Sequence, residues 1–268
     1  MEKILEVKNL TKKFSDSVAV NSISFSIDHG EIFGVVGPNG AGKTTTIKIL
    51  TTLLPPTSGS AFIGGFNVVK NASKVRRIIG YVPQLLSADG NLTGYENLLI
   101  FAKLYDIPSK EIGNRIKDSL KFMGLTESGE KLVKQYSGGM IRRLEIAQAV
   151  LHHPAILFLD EPTVGLDPIA RESVWEYVKI LADTGTTVLM TTHYMEEADA
   201  MCSRVAILNK GNIAAIGSPE ELKISIGSKN ASLNKVFDFY AGNTTESEES
   251  GGNYKDVSRT RRNVKRLG

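Results

Sequence analysis

The sequence predicts an α/β fold built on a largely parallel sheet. Three observations carry this. Short β-branched or apolar runs bounded by Gly, Asn or Pro recur at residues 31–36, 155–160, 187–191 and 205–208. Helical patterns lie between them. From residue 85 to about 150 the strand signal fades, which predicts a helical subdomain inserted in the sheet.

Taken in order, EIFGVV (31–36) reads as a buried strand and TTTIKILTTLL (44–54) as a helix stopped by Pro55 and Pro56. Thr93 followed by Glu96 makes a capping box ahead of Leu98, Leu99, Phe101 and Leu104. After YSGGM (136–140) the run IRRLEIAQAV has helical apolar spacing. AILFLDEP (155–162) is a strand ending in acids. Asp167 as N-cap and Pro168 at the first position open a helix that places Val174, Val178 and Leu181 on one face, and Gly185 ends it. NTTESEESGGN (243–253) is polar and acidic and reads as a linker. The expected division is a domain over residues 1–222 and a C-terminal extension over 223–268.

With 268 residues, 41% of them hydrophobic, the chain buries a substantial core. A net charge of +3 leaves the surface unsuited as a whole to nucleic acid, and no such partner is expected. One cysteine, Cys202, excludes an internal disulfide or a multi-cysteine metal site. No run reaches the eighteen or so apolar residues of a membrane span, and MEKILEVKNL lacks the apolar core of a secretory signal. The expected location is therefore cytoplasmic.

GPNGAGKT supplies Gly37, Pro38, Asn39, Gly40, Ala41, Gly42, Lys43 and Thr44, between a predicted strand and a predicted helix that continues with Thr45. That context marks a phosphate loop. Its glycines let backbone N–H groups wrap a phosphate, Lys43 adds a point charge, and the Thr44 hydroxyl can ligate Mg²⁺. Asp160, at a strand's carboxyl end, is expected to hold Mg²⁺ through water. Glu161 cannot face the same way as Asp160 on an extended strand, which frees it to act on an attacking water as general base. Positioning of phosphate, metal and water together describes nucleoside triphosphate hydrolysis. NKGN (209–212) lacks the aspartate that reads guanine, so a switch GTPase is disfavoured. YSGGM presents a second helix N-terminus, Ser137 with Gly138 and Gly139, and so a second anion site about one hundred residues from the first.

GPNGAGKT, YVPQ, YSGGM, ILFLDEP, GLD and TTH, in that order, resemble the ATP-binding cassette (ABC) ATPase family over about residues 5–222. The resemblance implies a P-loop NTPase core with an antiparallel β portion near the N-terminus, ATP with Mg²⁺, and two cassettes packed head to tail, most simply a homodimer. It implies that Ser137, Gly138 and Gly139 touch the γ-phosphate held by a second copy, with Asp167 at the seam. Gln84 resembles the glutamine that ligates Mg²⁺ and senses a separate transmembrane permease. His193 resembles the histidine that contacts the γ-phosphate, and Phe14 the aromatic that stacks on adenine. Signatures commonly read LSGGQ; Tyr136 and Met140 depart from that, and Met140 carries the doubtful ribose or partner contact. YSGGM, GLDP and TTHYMEEAD resemble the drug-export branch typified by daunorubicin-resistance ATPases, which implies a place on the inner face of the cell membrane. The second reading is a soluble ABC protein acting on ribosomes or DNA. In the drug-export branch a small segment often precedes a stretch like SLNKVFDFYAG (232–242); here it is missing, and Leu233, Val236, Phe237 and Tyr240 form a helix face expected to dock on the cassette or on a second copy. The last fourteen residues carry six Lys or Arg against one Asp, suiting a solvated tail or contact with anionic lipid.

Overall fold

The computed structural model describes residues 2–228 and 230–241. The linker and basic tail therefore lie outside the described residues. Strands β1 (Lys3–Phe14) and β2 (Ser17–Asp28) pair antiparallel, β3 (Ile32–Val36) leaves for a second sheet, and α1 (Lys43–Leu50) follows the glycine loop. Strands β4 (Ser58–Ile63) and β5 (Phe66–Asn67) then return, giving a four-stranded antiparallel sheet of order β2-β1-β4-β5.

Next come α2 (Ala72–Ile78) and β6 (Ile79–Val82), then three helices, α3 (Gly94–Leu104), α4 (Ser109–Phe122) and α5 (Gly138–Val150). The chain re-enters the sheet as β7 (Ile156–Asp160), α6 (Pro168–Asp183), β8 (Thr187–Thr192), α7 (Met195–Met201), β9 (Arg204–Asn209) and β10 (Asn212–Gly217). Helices α8 (Pro219–Ser225) and α9 (Leu233–Ala241) follow. The second sheet has the order β10-β9-β3-β8-β7-β6, with only β10 antiparallel to its neighbour.

Both faces of this sheet are covered, which is why its strands read as unbroken apolar runs. Alternation still sorts them. Leu157, Leu159, Val188 and Met190 face a core shared with α3, α5 and α6, whereas Phe158, Leu189, Phe33 and Val35 face a second core under α1 and the antiparallel sheet. The four strands and the α6 caps stand where the sequence places them: Asp167 Oδ1 accepts from Ala170 N at 2.9 Å, with Pro168 at the first position. The capping box on α3 is formed in both directions, Thr93 N donating to Glu96 and Glu96 N to Thr93 Oγ1.

One expectation of the fold is corrected. Helix α1 ends at Leu50 rather than running to residue 54, because Thr52 takes a left-handed conformation (φ 66°) and the Leu53 and Thr52 N–H groups fold back onto Lys48 O and Ile49 O. This double bond is a Schellman closure, so the helix stops before either proline. Leu222 and Lys223, on either side of the expected division, both lie in α8. Strand β1 gave no clean alternation because its pairing with β2 shifts register at Asn9, which is left-handed (φ 47°) and ties to Ser24 Oγ. Among the described residues, no helix is long and apolar enough to cross a membrane.

Candidate active site at the carboxyl edge of the sheet

Parallel strands deliver their carboxyl ends to one edge, and that edge is where an open α/β sheet binds ligand. Here β3 leads into the glycine loop, β6 ends two residues before Gln84, β7 ends in Asp160, and β8 in Thr192 with His193 after it. A cleft of about 680 Å³ opens there, lined by residues 39–45 together with Gln84, Glu161 and His193.

The loop is held where only glycine fits. A Cβ on Gly42, which opens α1 at φ 105°, would stand 2.4 Å from Ala19 O, and one on Gly37 would stand 2.2 Å from Leu208 O. Lys43 is 4% exposed and uses its three donors on Gly37 O (2.8 Å), Pro38 O (3.2 Å) and Glu161 Oε1 (3.1 Å). Gln84 Nε2 donates to Glu161 Oε2 at 3.2 Å, and His193 Nδ1 meets the same oxygen at 3.2 Å. A carboxylate only accepts, so the Nδ1 proton sits on His193. Three separated motifs therefore converge on one carboxylate.

Asp160 is 1% exposed, and its Oδ1 accepts from Thr191 Oγ1 (2.6 Å) and Thr44 Oγ1 (3.2 Å). Burial raises its pKa above the ordinary value, opposed by those two hydroxyls and by Lys43. A hydroxyl beside a carboxylate, with the Gln84 amide lining the same cleft as Thr44, is a donor set that suits Mg²⁺ shared with phosphates. Thr44, Asp160 and Gln84 thus fit the metal that the sequence implies.

Glu161 does not follow the strand. It is left-handed (φ 50°), its N–H donating to Thr191 O and Thr191 Oγ1, and this turn swings the side chain back over the loop. The separation of the two acids therefore arises from a turn at position 161, not from strand alternation as expected.

The second site expected for an anion lies apart. Ser137 caps α5, its Oγ accepting from Met140 N at 3.3 Å, and neither it nor Gly138, Gly139, Met140 or Asp167 lines the cleft. Gly139 is fixed by crowding, since a Cβ would stand 2.7 Å from that of Ala170. Tyr136 is buried, and its hydroxyl donates to Ser128 O at 2.5 Å, which accounts for the residue in place of the usual leucine. Phe14, at the end of β1, is 44% exposed outside the cleft's lining, with Lys12 Nζ 5.2 Å from its ring centre.

Sequence reasoning passed over Thr191, which binds Asp160 and the Glu161 backbone, and Arg142 with Glu145, a buried pair on α5. An acid-bearing strand beside a threonine-ended one is the only trace of the first. Charges in mid-helix at i and i+3 were the available sign of the second.

Residues 20–164 match the family model described as ABC transporter. The chain is 41% identical over 224 residues to a linearmycin resistance ATP-binding protein of Bacillus subtilis, covering 84% of this chain and 72% of the relative. It is 42% identical over 224 residues to a daunorubicin/doxorubicin resistance ATP-binding protein of Streptomyces peucetius, covering 84% and 68%. Among solved structures it is similar to an ATP-binding subunit of an ABC transporter (29% identity, TM-score 0.80, covering 88% of this chain and 99% of that one). It is also similar to an ATP-binding cassette solved as a dimer in a post-hydrolysis state with ADP and Pi (29% identity, TM-score 0.71, covering 80% and 98%). The phosphate loop, the converging carboxylate and these likenesses agree: this chain belongs to the ABC transporter family, as an ATP-binding subunit that hydrolyses ATP.

Proposed function

We propose that this subunit drives export of drugs or other hydrophobic compounds through a separate transmembrane permease, on the inner face of the cell membrane, as a homodimer. The observation that carries the catalytic part is Glu161, a 4% exposed carboxylate held by Lys43, Gln84 and His193 beside the Mg²⁺ donors. The names of the drug-resistance relatives support the substrate class. The reading of a soluble protein acting on ribosomes or DNA is not favoured, because those relatives are resistance ATP-binding proteins.

In this reading the loop N–H groups and Lys43 bind the β- and γ-phosphates, Lys43 exchanging its Glu161 contact for phosphate oxygen. Thr44, Asp160 and Gln84 hold Mg²⁺, which when bound neutralises charge on the transferring phosphoryl group. Glu161 then accepts the proton of the attacking water, its position fixed by Gln84 Nε2 and His193 Nδ1. His193 holds the γ-phosphate end, Phe14 the adenine, and Ser137, Gly138 and Gly139, with Met140 and Asp167 at the seam, close the nucleotide of the second copy. The division into a cassette over 1–222, with its helical subdomain at about 85–150, and an extension over 223–268 belongs to the same proposal. The basic tail is assigned to anionic lipid beside the permease.

Ser137→Arg tests the shared site: ATP turnover is expected to fall by about ten-fold or more while ATP binding to the isolated chain persists. Undiminished turnover by a monomeric Ser137→Arg variant refutes it.

A further inference from the structure

Arg142 and Glu145 lie on α5, five and eight residues past Ser137, and are each 2% exposed, with Arg142 Nη1 3.0 Å from Glu145 Oε2. A buried ion pair rarely adds stability over apolar residues, so its presence asks what the pair holds. Both members reach the same loop. Arg142 Nη1 and Nη2 donate to Pro83 O (2.7 Å) and Gln84 O (2.9 Å). Glu145 Oε1 accepts from Ser87 N, Ser87 Oγ (3.1 Å) and Ala88 N (3.3 Å). Beyond it, Asn97 of α3 receives Asp89 N (2.9 Å), returns a bond to Asp89 O (3.0 Å), and is itself bonded by Gln148 of α5 (3.3 Å).

The Arg142–Glu145 pair, a strap across this loop, grips Gln84 by its backbone, while the Gln84 side chain grips Glu161. Arg142 stands roughly 7.5 Å along the helix from Ser137, at 1.5 Å per residue. A helix turn is stiff, so a displacement of its first residues moves the strap with it. We propose that Arg142 and Glu145 are positioning residues that carry contact at Ser137, Gly138 and Gly139 to Gln84, and through Gln84 to the Glu161 carboxylate. This rests on the reading in which that helix N-terminus closes a second copy's nucleotide. Each site's water-activating group is then set by whether its own α5 is engaged across the dimer, which ties the two sites of a dimer together.

The test uses the full chain with ATP and Mg²⁺. Replacing both members by apolar residues of similar volume, Arg142→Met with Glu145→Leu, keeps α5 packed and frees the loop. Amide hydrogen exchange at Ser87 and Ala88 is expected to speed by about ten-fold or more, since those N–H groups lose a charged acceptor. The kcat for ATP is expected to fall by about ten-fold or more with KM changed less than about three-fold, because Lys43 and its loop are untouched. Unchanged exchange at Ser87 and Ala88, or faster exchange with kcat within about two-fold of wild type, overturns the proposal. Arg142→Lys keeps the charge opposite Glu145 but has no planar fork for two carbonyls, so it should unfold like the wild type and recover only part of kcat. Full recovery would also overturn it, and this variant decides the matter if the double one does not fold. Ser137→Arg tests the underlying reading separately: its failure to slow turnover removes the shared site, whereas a fully active double variant removes only the strap.

Discussion

Glu161 occupies a backbone conformation that costs a residue with a Cβ about 1–3 kcal/mol, and it is held there by Thr191 on the neighbouring strand. The strain has a use, because an extended residue after Asp160 would carry its carboxylate away from Lys43. With Gln at this position one of the two oxygens becomes an NH2 donor, so either Lys43 or the Gln84–His193 pair loses its acceptor, and no group accepts the water's proton. We expect Glu161→Gln to bind ATP, to accumulate as a dimer, and to hydrolyse at least about one hundred-fold more slowly, read by phosphate release and by size-exclusion chromatography with ATP. Turnover at the wild-type rate would assign water activation elsewhere. Lys43 could be read from the phosphate loop's own chemistry, whereas Gln84 and His193 could be read only through the family resemblance. Thr191 could not, since a threonine at a strand end has many uses and only the β7–β8 register places it opposite Asp160.

The elements explain why the signature here departs from the usual pattern. Tyr136 sits just before α5, and its hydroxyl fills the space where Gly94, the first residue of α3, would carry a side chain; a Cβ there would lie 2.4 Å from that oxygen. Tyr136 and Gly94 therefore make one packing unit joining α3 to the segment before α5. Gly94→Ala is expected to destabilise the chain by about 1–3 kcal/mol through overpacking. Tyr136→Phe loses its bond to Ser128 O, a loss of about 0.5–1.5 kcal/mol. Because Tyr136→Phe also vacates the space, the double variant should lose less than the sum, and urea unfolding of all four forms measures the difference. Strict additivity would show that the two positions are independent. Helix starts were legible from their caps, as at Thr93 and Asp167, and the end of α6 from Gly185, whereas the end of α1 and the bulged β1 were not. Thr52 and Asn9 are left-handed residues without glycine's signal, and each moved a boundary or hid a strand.

At the scale of the molecule, the helical unit meets the sheet at a histidine that cannot charge freely. His152 follows α5, stacks on Tyr105 at the end of α3 with ring centres 3.6 Å apart, and donates from Nε2 to Ile79 O (3.0 Å) where β6 begins. Burial brings its pKa down from 6.5 to about 4, helped by the neighbouring charges of His153 and Arg115 and opposed by the Ile79 bond. The sign follows. A histidine whose folded pKa lies below its unfolded value binds its proton more tightly when unfolded, so its stabilisation is complete above about pH 6.5 and drains away as pH falls towards 4. Acid therefore loosens the contact that seats α3 and α5 on the sheet. Urea midpoints measured from pH 7 to pH 4.5 should fall for the wild type, and fall less for His152→Phe, which keeps the stack on Tyr105 but has no proton to bind. Parallel decline in the two proteins would place the acid sensitivity in other groups, and a variant already unstable at pH 7 would show that the Ile79 bond, not the neutral ring, holds the junction.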